Sequence, residues 1–418
     1  MDNPAPKAIL GDMETHSDIV IVGGGLNGPA LALALAQHGL RSVVIDALPA
    51  DVRNEDTFDG RGYALSHSSV NLLRAIRIWP EVSENAQPIT HVQVSDGKPG
   101  QGAGPFLVEF DEAELDSGHL GQMVEDRFLR HALLDAIAAH PLITTLQGTV
   151  SAQDTSDTAV VTLTNGDTVR GKVLVGCDGR ASGTCARAGI KRTGWSYGQT
   201  ALVCAIAHER PHNGTAHQFF LPSGPLAILP LPGNQSSIVW TETDDNAARI
   251  MSMSDEEYLS VLRPRFGAFL GQISLAGKRF SYPLNITIAN RFVTNRVALV
   301  GDAAHGMHPI AGQGLNAGLK DVAALAEVLV LAHRRGEDIG MINVLERYQQ
   351  WRRFDTATLA LATDTFNKMF SNDNPLLRAA RDIGMGIVNG LPGLRRTAMR
   401  ESAGLIGDLP LLLQGRAI

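Results

Sequence analysis

Three glycine-rich segments carry residue types and spacings that could hold a nucleotide cofactor, and each would supply a different contact. Gly23-Gly24-Gly25-Leu26-Asn27-Gly28 has the GxGxxG spacing. Gly23 permits a tight turn, Gly25 lets the backbone approach a pyrophosphate, and Gly28 lets a helix sit close on a strand. A helix starting here would offer its first N–H groups and its dipole to phosphate. Asp46, 18 residues after Gly28, is placed to accept from a ribose 2′-hydroxyl. This motif suits NAD and FAD equally. Gly176-Cys177-Asp178-Gly179-Arg180-Ala181-Ser182 offers an Asp-Gly corner that is either a cofactor contact or a plain turn. The third segment runs Val300-Gly301-Asp302-Ala303-Ala304-His305, then Pro309, then Gly312-Gln313-Gly314-Leu315-Asn316-Ala317-Gly318 and Asp321. The Asp302 carboxylate suits a ribityl hydroxyl, and the glycine loop leads into a helix N-terminus that would stabilise negative charge at the N1/C2=O edge of a reduced isoalloxazine.

The elements needed to position these residues are readable. Asp18 to Gly25 is a short β-branched run ending in glycines, which predicts a buried parallel strand. Pro29 to His38 predicts a helix closed by Gly39, with Pro29 suited to its first turn, and Arg41 to Asp46 predicts the next strand. A helix is expected at Asp126 to His140. A hairpin is expected over Val160 to Leu163 and Thr168 to Leu174 with an Asn165-Gly166 turn, its second strand running on to Gly176. Between about Thr200 and Leu284 the texture changes to alternating strands at Ala201–Ala207, His217–Leu221, Leu226–Leu231 and Ser236–Thr241, read as an antiparallel sheet inserted into an α/β fold. One helix, Asp255 to Leu270, interrupts it, with Ser254 as cap. Val297 to Val300 is a buried strand, Gly312 to Arg334 a long helix, and the chain from Val344 on is helical with breaks at Pro375, Pro392 and Pro410.

Composition narrows the function classes. The chain has 418 residues, 44% hydrophobic and 19% charged, which fits a soluble α/β enzyme of two intimate domains or of one domain with a large insertion. A net charge of −7 argues against nucleic acid as a partner. Cys177, Cys185 and Cys204 lack CxxC spacing, so no disulfide framework and no metal site is expected. The first 17 residues read as a loose leader without a signal-peptide core, and no apolar run is long enough to span a bilayer. Met341 to Ile418 holds ten Lys or Arg against seven Asp or Glu, a local +3 in an acidic chain. These are ordinary solvated helix faces or a contact for an anionic membrane surface.

Together the three motifs resemble the class A flavin-dependent aromatic hydroxylases, the single-component monooxygenases typified by 4-hydroxybenzoate hydroxylase. GDAAH with the following GQGLN is the most specific element. Asp59-Gly60-Arg61-Gly62-Tyr63-Ala64-Leu65-Ser66, Val124-Glu125-Asp126, Gly224 to Leu231, Tyr282-Pro283-Leu284, His308 to Asn316 and a Gly404 to Pro410 ending extend the likeness over nearly the whole chain. They resemble the 2-polyprenylphenol hydroxylase branch of ubiquinone biosynthesis. Asp46 departs from the Glu common at that position, and Asp126 stands where Asn is frequent.

The resemblance implies an α/β fold: a Rossmann-type FAD-binding domain with an inserted antiparallel β-sheet substrate domain and C-terminal helices. The expected divisions are a flexible leader at 1–17, a discontinuous FAD-binding domain at 18–85, 116–190 and 286–343, a substrate-binding sheet at 86–115 and 191–285, and a helical region at 344–418. By position, Gly23, Gly25, Gly28 and Asp46 would hold ADP. Asp302 would hold the ribityl chain or pyrophosphate, and Pro309 to Asn316, including Gly312, Gly314, Leu315 and Asn316, would wrap the flavin ring. Asp178 and Gly179 would serve FAD and pyridine nucleotide together, and Gln122 would contact the flavin. Pro309 is expected beside the reacting edge, and Arg61 either steers the flavin or makes a structural ion pair.

The implied reaction adds one oxygen of O2 to an electron-rich phenol ring through a flavin C4a-hydroperoxide, so no protein nucleophile is needed. Phe219, Phe220, Leu229 and Leu231 are the apolar candidates for a ring and prenyl chain, as core or as site. His217, His305 and His308 are bases or hydrogen-bonded scaffold. The donor would be NAD(P)H bound transiently or a separate reductase, since Gly384 to Gly390 lacks a preceding strand. The expected location is the cytoplasm. Arg395, Arg396, Arg400 and apolar Leu409 to Leu413 are the candidate contact with the inner membrane face, and other ubiquinone-biosynthesis proteins are candidate partners. A soluble-substrate aromatic hydroxylase and a non-catalytic FAD-containing subunit are the alternatives. A halogenase is disfavoured, because no WxW occurs among Trp79, Trp195, Trp240 and Trp351.

Overall fold

The computed structural model describes residues 14–53, 60–98, 102–115, 118–307, 313–370 and 391–418. Expectations for Pro309, Gly312, His308, Pro375 and Gly384 to Gly390 lie outside these residues.

The β-branched run Ile19–Val22 is fully enclosed and becomes an inner strand of a six-stranded sheet among the described residues. Val297–Leu299, Val173–Gly176, Ile19–Val22, Ser42–Asp46 and Ile143–Gln147 lie parallel in that order, and Val293–Thr294 adds an antiparallel edge. The helix Asn27–Ala36 buries every residue from Gly28 on, because it lies between the sheet, the helix Asp126–Ala139 and the long helix Gln313–Arg334. Its all-apolar PALALALA sequence follows from enclosure on all sides.

A second sheet of nine strands runs His305–Gly306, Phe280–Ala289, Arg192–His208, Gln235–Thr243, Gly224–Leu231, Thr215–Leu221, His91–Lys98 and Gly102–Asp111, with Ile273–Leu275 off this path. It is antiparallel except where Thr215–Leu221 meets His91–Lys98 in parallel. Its outer face is closed by the helices Asp244–Met251 and Asp255–Phe266 over a core of Leu202, Cys204, Phe219, Ile228 and Trp240. Its first strand, His305–Gly306, is the end of the GDAAH segment, so the cofactor motif is hydrogen-bonded into this sheet through Ile288 and His305. A three-stranded sheet of Gly62–Ser66, Gly121–Glu125 and Gln87–Ile89 lies beside it.

Several local expectations are corrected. Glu14–His16 is a strand parallel to Thr168–Gly171, so the leader is ordered before residue 18. The hairpin strand does not continue to Gly176: it stops at Gly171, and Val173–Gly176 joins the other sheet after Lys172 donates its N–H to Asp18 O. Asp244–Met251 is an additional helix with Asp244 and Asp245 in its first turn. The next helix ends at Phe266, with a capping box between Ser254 and Glu257. Leu409 to Leu413 is not a free apolar tail. Leu412 and Leu413 are buried in the main core, Asn71 donates to Leu413 O, and Leu411 N–H donates to Glu327. Arg395 is paired with Glu114 at 2.8 Å.

Candidate cofactor and substrate site

The first glycine motif is built by close approach. A Cβ on Gly23, whose φ is +113°, would lie 2.2 Å from Cys177 O, and one on Gly28 would lie 2.0 Å from Gly23 O. Among the described residues, nothing lies within 4 Å of the position a Cβ would take on Gly25 or Gly314. No side chain caps the helix that begins at Asn27. Uncapped N–H groups in front of clear space fit the phosphates of a dinucleotide. Asp46 ends its strand with both oxygens engaged: Gly24 N–H donates to Oδ2 at 2.6 Å and Leu48 N–H to Oδ1 at 2.8 Å. Their remaining lone pairs are the acceptors left for a ribose. Arg53, missed in the sequence, donates from Nη1 to Gly24 O at 3.3 Å and brings a cation to the same corner.

The second and third motifs meet. Asp178 accepts from Ser182 Oγ at 2.5 Å and Thr184 N–H at 2.9 Å, which fixes the turn into the helix Gly183–Arg187. The next cation, Arg180, reaches Asp302 Oδ2 from Nε at 3.1 Å, Met307 O at 3.0 Å and Asn285 Oδ1 at 3.3 Å. Arg192 donates to Asp302 O at 2.8 Å. Gly179 leaves open space at φ +74°. Asn27, also unmarked in the sequence, is wedged where a Cβ on Gly301 or Gly318 would stand, and its buried Oδ1 has no hydrogen-bond partner among the described residues.

Behind the turn is a buried ion network. Asp321 Oδ2 lies 2.5 Å from His305 Nε2 and accepts from Gly301 N–H at 2.9 Å, while Oδ1 accepts from Arg352 Nε at 2.8 Å. Burial raises the Asp321 pKa, but His305 and Arg352 outweigh it and hold the carboxyl below its usual range. The network welds the GDAAH turn to the long helices Gln313–Arg334, which carries Asp321, and Ile342–Phe370, which carries Arg352, with His305 as one of its links. Asn316 is likewise spent on scaffold: it accepts from Ser66 N–H and Ser69 Oγ and donates to Ala64 O. Leu315 packs against the main core.

Arg61 pairs with Asp126 at 3.4 Å, beside Tyr63 Oη at 2.7 Å and Arg130 Nε at 2.8 Å from the same carboxylate. Gln122 is half-buried on the neighbouring strand, opposite Leu65 and Pro88. Gly60 and Gly62 bring this segment onto the inner face of the large sheet, near Ala205 and Leu231.

Among the described residues, that inner face is less completely covered than the outer one. Leu226, Ile228, Ile238 and Trp240 are buried on the helix side, whereas the intervening Ala227, Leu229 and Val239 are only half-buried in the middle of the sheet. Strand alternation therefore divides the four apolar candidates. Leu229 and Leu231 lie on the inner face with Ala205 and Met123, Phe220 lies toward the edge with Val94 and Val108, and Phe219 belongs to the outer core. His217 also points outward, its ring centroid 4.4 Å from that of Phe269.

A dinucleotide cradle joined through Gly301–Gly306 to a partly covered apolar sheet fits the class that the comparisons give, an FAD-dependent monooxygenase. A model of the FAD binding domain matches residues 16–359. The chain belongs to the class A FAD-dependent aromatic monooxygenases, in the branch of the ubiquinone-biosynthesis hydroxylases. It is 42% identical over 417 residues to ubiquinone hydroxylase UbiL of Rhodospirillum rubrum, covering 98% of this chain and 96% of that one. It is 36% identical over 394 residues to 3-demethoxyubiquinol 3-hydroxylase of Escherichia coli, covering 93% and 99%. The fold matches p-nitrophenol 4-monooxygenase PnpA of Pseudomonas putida with a TM-score of 0.78 at 21% identity, covering 94% and 99%.

Proposed function

We propose that this enzyme hydroxylates the aromatic ring of a polyprenylated phenol in ubiquinone biosynthesis, with O2 as the oxygen source and NAD(P)H as the electron donor. The observation that carries this reading is the half-open floor of the large sheet. Ala227, Leu229, Val239 and Phe280 offer a ring and a hydrocarbon chain an apolar surface, and none of them is the cation that a benzoate would require. The likeness to ubiquinone hydroxylase UbiL and to 3-demethoxyubiquinol 3-hydroxylase supports it.

FAD, when bound, supplies electron storage and the activation of O2. The chain supplies placement. The Gly23 to Gly28 loop, Asp46 and Arg53 would hold the ADP portion, and Asp302, set by Arg180, would hold the ribityl portion, with Asp178 and Gly179 beside it. Gly312 to Asn316 and Pro309 would border the ring system, and Arg61 with Gln122 would border it from the strands packed on the inner face of the large sheet. The apolar floor would exclude water from the ring and orient it. The phenol's own hydroxyl activates the ring, so no side-chain nucleophile is required. A substrate of this kind resides in the bilayer, and we place the enzyme in the cytoplasm, working at the inner membrane face. No helix among the described residues is long and apolar enough to cross a membrane.

The test compares NAD(P)H oxidation by the FAD-loaded enzyme with short-chain prenylphenols and with p-hydroxybenzoate-like acids. Stimulation by the prenylphenols supports the reading. Stimulation by the acids alone moves it to a soluble substrate.

A further inference from the structure

Six neighbouring strands of the large sheet each contribute one residue to a lateral row on the inner face: Val94, Gln218, Ala227, Val239, Val203 and Phe280. Five of the six are apolar, and Gln218 is the exception. Residues directly opposite on adjacent strands are near neighbours, so Gln218 stands beside Val94 and Ala227, which can satisfy no hydrogen bond. Its Nε2 is buried and has no hydrogen-bond partner among the described residues. A buried amide nitrogen without an acceptor works against folding, and its presence in a native structure calls for a use. The row next to it leads to Leu229 and Ser237, and the adjoining Ala227 and Val239 are half-buried, so the amide borders the open floor rather than the closed core.

We infer that Gln218 is a specificity-determining residue that donates a hydrogen bond to a ring oxygen of the substrate, while the apolar row holds the ring and its prenyl chain. This rests on the proposed function. Without the amide, the floor grips any aromatic of suitable size. With it, an oxygenated ring is favoured over a plain alkylbenzene, because only the former satisfies the buried donor. Gln218 also fixes which ring edge faces the strand Thr215–Leu221, and with it the ring's orientation in the site.

The experiment uses the FAD-loaded enzyme and follows ligand binding by the change in flavin absorbance. Its probes are a short-chain 2-prenylphenol and the matching prenylbenzene without the oxygen. The native enzyme is expected to bind the phenol roughly tenfold more tightly. Gln218→Leu is expected to bring the two within about twofold, by weakening the phenol and leaving the prenylbenzene unchanged. Because leucine removes an unmatched amide from an apolar row, the variant should keep its flavin and unfold at the same or a higher temperature. Gln218→Met serves as a second apolar replacement should leucine fit poorly. Retention of the tenfold preference in both variants overturns the assignment, and so does a fall in unfolding temperature in both, which would make the amide structural. A native enzyme that binds neither probe fails at the proposed function itself, and the role of Gln218 falls with it.

Discussion

Arg180 Nε lies 3.1 Å from Asp302 Oδ2, joining two motifs separated by 122 positions. The same guanidinium holds Met307 O and Asn285 Oδ1, so one cation ties the GDAAH turn to the DGR corner and to the large sheet. Both partners are more than a third exposed, so the pair contributes little to stability. Its effect is on the placement of a carboxylate.

Arg180→Gln should therefore change unfolding by no more than about 1 kcal/mol while loosening Asp302. The expected outcome is a lower flavin-to-protein ratio after gel filtration, with a near-native unfolding midpoint. A native ratio would detach Arg180 from cofactor retention.

The glycine loop separates folding from binding. Gly23→Ala drives a Cβ into Cys177 O at a φ of +113° and should prevent stable folding. A Cβ on Gly25 would meet no described atom within 4 Å, so Gly25→Val should fold yet lose FAD. Circular dichroism and flavin absorbance, read on the same samples, separate the two outcomes.

Asp321→Asn breaks a buried network and should cost about 3–5 kcal/mol in urea unfolding. The acid response follows from the lowered Asp321 pKa. Its stabilisation is complete above the unfolded value of about 4 and is lost as pH falls through the lower folded value. The native protein should show this acid loss and Asp321→Asn should not.

His217 has the opposite chemistry. Burial pushes its imidazole down to about 4 from 6.5. Below pH 6.5 the unfolded chain takes up a proton that the folded one refuses, so stability falls between pH 6.5 and 4, by at most about 3 kcal/mol. Thermal unfolding of His217→Phe should be flatter across this window. An unchanged slope would show that His217 is not the group responsible.

Much of this was readable along the chain, because strands such as Ile19–Val22 and the helix Asn27–Ala36 are set by local periodicity and glycine punctuation. What was unreadable depends on register between distant strands. Alternation shows that Phe219 and Phe220 face opposite ways, but only the assembled sheet shows that the face carrying Leu229 and Leu231 meets Ala64 and Met123 of the three-stranded sheet. Asn316 sits in the most specific motif, yet its amide is consumed by Ala64, Ser66 and Ser69, some 250 positions away. The apolar Leu409 to Leu413 stretch looks like a surface anchor until the helices His67–Ala75 and Gln313–Arg334 are seen to bury it. Gln218 is unmarked along the chain, since a glutamine is unusual only in the apolar row that the register builds around it.

The most direct test of the central claim is isotopic. The FAD-loaded enzyme is supplied with NAD(P)H and a short-chain prenylphenol under oxygen-18 gas, and the product is analysed by mass spectrometry. The account predicts a hydroxylated ring carrying one heavy oxygen atom, with no label when the heavy isotope is supplied as water. Oxidation of NAD(P)H that yields only hydrogen peroxide with every prenylphenol, and no ring product, would contradict it.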